Sequence, residues 1–237
     1  DLSLDGEEMI QEAVDEIFKR IREEHSDDKE LIEWVMDFIQ KNIDDDHQWN
    51  PSNSIKQFSS QLLKEQLIRR MGDLQHVFAD KNFMRKYRSN LVEICQDKEH
   101  NVAQLLKHAS DIFAQEEGWQ NNVIKAFKKS PEEWLTGNMG KTFFNVLDNP
   151  SSIFVKGKTT TQRQQLLLAI YEEQLAPIFL SINDLCTGTS AQDYVTAKEI
   201  LRHLYTLGIL QDVAKQIEDT NRNIGRLPIS ETNQLVH

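Results

Sequence analysis

Glycine, proline and cysteine are scarce in this 237-residue chain, at nine, five and two residues. So few glycines and prolines argue against a fold of many short strands joined by tight turns. Cys95 and Cys186 stand far apart and read as ordinary thiols in a reducing compartment rather than a disulfide framework. No apolar run approaches the ~20 residues that span a bilayer, and no signal peptide is visible. The expected setting is cytoplasmic, with no membrane partner. A complete phosphate-binding loop is also missing. Gly140-Lys141-Thr142 and Gly157-Lys158-Thr159 resemble its end, but Leu135 and Ser152 occupy the place of its first glycine. Each reads as a helix C-cap or turn glycine beside a surface lysine.

Other chemistries lack their residues as well. Asp44-Asp45-Asp46-His47 is acidic but has neither the alternating spacing nor the glycine of a calcium loop, so it reads as a solvated loop. His100 and His108 are too far apart for a ligand pair on adjacent helical turns, and no cysteine completes a zinc site. Nothing resembles a nucleophile elbow. The expected entries for catalytic residue, metal and cofactor are therefore none.

The formal charge of −11 is unevenly spread. Residues 1–46 carry 17 acids and 5 bases, whereas residues 56–163 carry 12 acids and 17 bases. The acidic balance belongs to the first two helices, and the middle of the chain is permissive for a polyanion, because local field matters more than total charge.

Periodicity predicts helix nearly throughout. Met9, Ile10, Ala13, Val14, Ile17, Phe18 and Ile21 step by three and four, with Asp5 as the expected N-cap. Leu31, Ile32, Trp34, Val35, Phe38 and Ile39 form a second stripe, and a third helix is expected over 54–70. Helices over 80–96 and 98–116 follow, the first lined by Phe83, Met84, Tyr87, Leu91, Val92 and Cys95. Residues 117–160 are punctuated by glycine and proline, and Ser130-Pro131-Glu132-Glu133 is a strong short-helix start. Two long helices over 160–186 and 191–220 close the pattern. Pro177 is expected to kink the first, and Thr187-Gly188-Thr189-Ser190 to turn between them. The predicted fold is all-α, an irregular domain of about 8–10 helices ending in a long antiparallel pair.

The basic clusters are Arg69-Arg70, Arg85-Lys86-x-Arg88 with Tyr87, and a set within 125–163. From the last set Lys125, Lys128, Lys129, Lys141, Lys156, Lys158 and Arg163 are candidate phosphate contacts. Such residues bind a nucleic-acid backbone without reading sequence. Trp119, beside Gly118, is the tryptophan to test as a base-stacking platform.

Ile229-Ser230-Glu231-Thr232 followed by Leu235 resembles a short segment of superfamily 1 DNA helicases of the UvrD/RecB/AddA type. Asp1-Leu2-Ser3-Leu4-Asp5, Glu8-x-x-x-Glu12-Ala13-Val14-Asp15 and Leu31 to Ile39 are similar to the Bacteroidetes-type branch. So is Asn42-x-Asp44-Asp45-Asp46-x-x-Trp49-Asn50. The resemblance spans most of the chain through diffuse patterns. It implies a helical 1B-type accessory subdomain over 1–225, with 226–237 starting the return to the motor. Ser230 would cap a helix that Leu235 and Val236 only begin, and no methionine opens the chain, so a piece of a larger protein is expected. Walker A would precede Asp1 and Walker B would follow His237, leaving ATP and Mg to the parent enzyme. The implied partners are duplex or forked DNA and the helicase motor in cis. The alternative is a helical protein–protein interaction module, favoured by the acidic start and the long amphipathic helices, which would expose a contiguous apolar patch.

Overall fold

The computed structural model describes residues 2–23, 29–44, 53, 55–56, 75–155, 157 and 159–224. Along the chain these form α1 (Leu2–Arg22), α2 (Lys29–Asp44), α3 (Gln75–Ala79), α4 (Lys81–Gln115), α5 (Asn121–Ala126), α6 (Pro131–Leu135) and α7 (Lys141–Asp148). A 3-10 turn (Pro150–Ile153), α8 (Thr161–Ile170), a π turn (Tyr171–Leu175), α9 (Ala176–Cys186) and α10 (Gly188–Ile224) complete the order. The fold is all-α. Among the described residues the β geometry amounts to one isolated antiparallel bridge, Trp119 to Phe154. The expected helix over 54–70 falls largely outside the described residues, as do Arg69, Arg70, Asp45, Asp46, His47 and residues 226–237.

Two compact units divide the chain, one of residues 1–89 and 201–237, the other of residues 90–200. In the first, Ile10, Ala13, Val14 and Ile17 of α1 are buried, together with Leu31, Trp34, Val35 and Phe38 of α2. The indole of Trp34 donates from Nε1 to the Tyr205 carbonyl at 2.9 Å and its ring lies 4.9 Å from that of Tyr205. Lys81 is buried. Its ammonium donates to the Phe78 carbonyl (3.1 Å), to the Gly208 carbonyl and to Asp212 Oδ2 (2.7 Å). Basic residues from the middle of the chain meet the acidic start: Lys56 pairs with Asp15 at 2.7 Å, and Arg85 with Glu33 at 3.2 Å and Asp37 at 3.7 Å.

The second unit holds an aromatic core. Phe127 lies 5.0–5.3 Å, centroid to centroid, from Phe113, Trp134 and Phe179. Phe143 stacks on Phe179 at 5.1 Å and meets Trp134 edge-on at 5.0 Å. Each such pair contributes about 0.5–1.5 kcal/mol beyond the area it buries.

Several local expectations are corrected. α1 begins at Leu2, so Asp5 lies inside the helix rather than capping it. The helices expected over 80–96 and 98–116 are one helix of 35 residues. Its sequence contains neither glycine nor proline, and the buried stripe Met84, Leu91, Cys95, Val102, Leu106, Ala109 and Phe113 continues throughout. Arg88 and Glu99 are the polar members of that stripe. Arg88 lies over the Tyr205 ring at 5.2 Å, and Glu99 accepts from the Tyr194 hydroxyl at 2.5 Å. Phe83 and Tyr87 fall beside the stripe and are exposed, as is Leu166 of α8. Pro177 acts just before its own position: the Ala176 N–H donates to Tyr171 O, five residues back, and the π turn absorbs the proline's missing donor. The four-residue turn before α10 shrinks to Thr187 alone, in extended conformation.

Candidate nucleic-acid interface

The candidate basic residues sit on the short elements of the second unit, where local chemistry sets the backbone. Ser130 caps α6: its hydroxyl accepts from the Glu133 N–H (3.2 Å), and the Glu133 carboxylate accepts from the Ser130 N–H (2.9 Å). The other end closes as a Schellman motif, with Asn138 N–H donating to Glu133 O at 2.8 Å and Gly137 N–H to Trp134 O at 3.1 Å. Two residues later Gly140 starts α7 as its N-cap, correcting the expected C-cap or turn role. At φ 83°, ψ 154° it occupies a region open essentially to glycine alone. Asn149 before Pro150 is extended and ends α7.

On this frame the seven candidates separate. Lys125 of α5, Lys128 just after it and Lys141 at the first position of α7 are exposed. α5 and α7 pack against each other. Phe127, inside the basic run, is buried at 4% exposure in the aromatic core and anchors the turn that carries Lys125 and Lys128. Among the described residues nothing pairs with Lys125, Lys128 or Lys141.

Lys129 and Arg163 are engaged within the fold. The Lys129 ammonium donates to Asn138 O at 2.7 Å and to Asn138 Oδ1 at 3.0 Å. Arg163 pairs with Glu116 at 2.5 Å and donates from Nε to the Glu117 carbonyl at 3.2 Å. That clasp holds α8 against the turn before Gly118, where the Val155 N–H donates to Gly118 O and the Gln120 N–H to Ile153 O. Lys156 and Lys158 lie outside the described residues. Trp119 is buried and packs edge-on against Phe113 at 5.4 Å, so it is a core residue and not an exposed stacking platform. In the first unit, Arg85 and Arg88 are occupied as described, while Lys86 is exposed.

One polar cluster of the same unit is nearly invisible in the sequence. Tyr194 Oη donates to Glu99, and Lys198 reaches both Glu99 (3.3 Å) and Glu132 (3.1 Å). The four-residue spacing of Tyr194 and Lys198 was its only local trace. Burial first, and the bond to Glu99 second, push the Tyr194 hydroxyl well above its ordinary value. Burial works against the Lys198 charge, but Glu132, Tyr194 and Glu99 together outweigh it and hold its pKa above normal. The cluster ties α4, α6 and α10 together through these contacts. His100 and His108 are exposed, and His100 meets Gln104 at 2.7 Å. Among the described residues no group of His, Cys, Asp and Glu could hold a metal ion. No helix among them is long and apolar enough to cross a membrane.

Compared with known proteins, the chain matches no family model, no curated protein and no solved structure.

Proposed function

We propose that this chain is an accessory helical subdomain of an ATP-dependent DNA helicase of the UvrD/RecB type, serving recombinational repair. In this reading it engages duplex phosphates beside the motor without reading sequence. ATP, Mg and the motor machinery belong to the parent enzyme. The observation that supports it best is the exposed, unpaired set Lys125, Lys128 and Lys141 on two packed short helices, anchored from inside by Phe127. Lysine ammoniums on a rigid frame suit phosphate binding, because displaced counterions drive association and no base edge need be reached. The helicase kinship rests on the sequence resemblance.

The test is fluorescence anisotropy of the chain with labelled duplex, forked and single-stranded DNA across a salt series. Binding to duplex or fork is expected, with a slope of log affinity on log salt near −2.7, from about −0.9 for each of three phosphate contacts. Reversing Lys125, Lys128 and Lys141 to glutamate should abolish it. Absence of salt-sensitive binding at low salt sinks the DNA-engaging reading.

One observation favours a protein-interaction module instead. Phe83 and Tyr87 are 48% and 36% exposed on one face of α4, with parallel rings 6.1 Å apart. Failure to bind DNA would turn attention to that pair.

A further inference from the structure

The basic run Lys125-x-x-Lys128-Lys129 contains three lysines of one chemistry, and the structure gives them two different tasks. Lys129 is the one whose ammonium is bound within the fold. It chelates a single residue through two atoms, the carbonyl and the side-chain oxygen of Asn138. Asn138 already closes α6, because its own N–H completes the Schellman motif. Two residues later comes Gly140, and then Lys141, which opens α7. The clasp therefore joins the residue directly after Lys128 to the loop that launches Lys141.

We propose that Lys129 is a positioning residue for the phosphate-binding face, holding Lys128 and Lys141 in register through Asn138 without itself contacting the phosphate backbone. This rests on the DNA-engaging reading above. A flexible ammonium in open solvent gains little from any one phosphate. Three ammoniums held at fixed spacing bind together at lower entropic cost, because the ordering is already done. Two of the three, Lys125 and Lys128, are fixed by the turn that Phe127 anchors. The third is reached through the loop 137–140, which buried Met139 pins from inside while Gly137, Asn138 and Gly140 stay exposed. A tether to Asn138 adds a second, outer fixed point to that loop.

The experiment measures duplex affinity and its salt slope for the full chain, for Lys129→Met, Lys129→Arg and Asn138→Ala, and for the Lys129→Met/Asn138→Ala double variant. Circular dichroism confirms the fold of each. Lys129→Met should weaken binding about two- to fivefold, as expected for a solvent-exposed tether, and leave the salt slope unchanged. Asn138→Ala, which keeps the backbone acceptor, should weaken binding less. The double variant should be no worse than Lys129→Met alone, the non-additivity of two residues acting as one. Lys129→Arg should recover most of the affinity. A slope lowered by about 0.9 in Lys129→Met, with Asn138→Ala inert, would make Lys129 a direct phosphate contact and overturn the proposal. Unchanged affinity in Lys129→Met would overturn it equally. Both results differ from wild-type protein that shows no salt-sensitive binding, which removes the DNA-engaging reading itself.

Discussion

The indole of Trp34 occupies the space that a side chain at position 208 would need. A Cβ built on Gly208 would lie 2.6 Å from Trp34 Nε1 and 2.7 Å from Cε2. The requirement at Gly208 is close approach rather than unusual backbone, since the residue lies within α10. Gly208→Ala should therefore lower stability by about 1–3 kcal/mol despite the better helix propensity of alanine, because overpacking outweighs the propensity gain. Urea unfolding midpoints measure this. Trp34→Phe should restore part of the loss in the Gly208→Ala background, at the expense of the bond to the Tyr205 carbonyl.

Buried Lys81 and the partly buried Asp212 form an ion pair, and without Lys81 the Asp212 carboxylate would lose its countercharge. Lys81→Met should cost about 1–3 kcal/mol, since it leaves a partly desolvated carboxylate without its cation. Lys81→Met/Asp212→Leu should recover much of this. Burial raises the Asp212 carboxyl above its ordinary 3.8, with Lys81 opposing the shift. A raised carboxyl means that the folded state holds the proton more tightly than the unfolded chain. Its contribution is most favourable below pH 3.8 and declines as pH rises through the folded value. Without Lys81 the carboxyl rises further, so the Lys81→Met deficit should be largest at neutral pH and shrink as pH falls through the carboxylate range. Unfolding curves across a pH series compare the deficits directly.

Both cysteines are buried, and burial pushes the Cys186 thiol up to about 11 and Cys95 upward as well. The thiolate is the reactive form, so native protein should resist a disulfide-exchange reagent at pH 8. Both thiols should react at once in denaturant. Rapid native reaction of either would contradict the packing described for α4 or α9.

The short helices depend on their ends. Ser130→Ala removes one half of the α6 capping box and should cost about 1 kcal/mol. Gly140→Ala meets no neighbouring atom, yet forces an L side chain into a backbone region that costs on the order of 1–3 kcal/mol. Thermal unfolding of the two variants should rank Gly140→Ala as the more damaging. Equal, negligible effects would mean that this part of the second unit tolerates local fraying.

The sequence alone determined what local spacing encodes: the all-α class, the buried stripes of α1 and α2, and the Ser130–Glu133 capping box. These depend on residues three or four apart, which share one helical face whatever the rest of the chain does. Tertiary structure decided where polar and aromatic residues at ambiguous positions would point. Glu99 reads as a break in a helical stripe until Tyr194, 95 residues away, supplies its donor. Lys129 matches Lys125 and Lys128 in the sequence, but only the closure of α6 brings Asn138 within reach of its ammonium. Trp119 gains its core position from Phe113 and the bridge to Phe154, whereas Phe83 and Tyr87 lie one step off the buried stripe and face solvent. Charge and aromaticity are properties of a residue, but engagement is a property of a pair, and most of these pairs are distant in the chain.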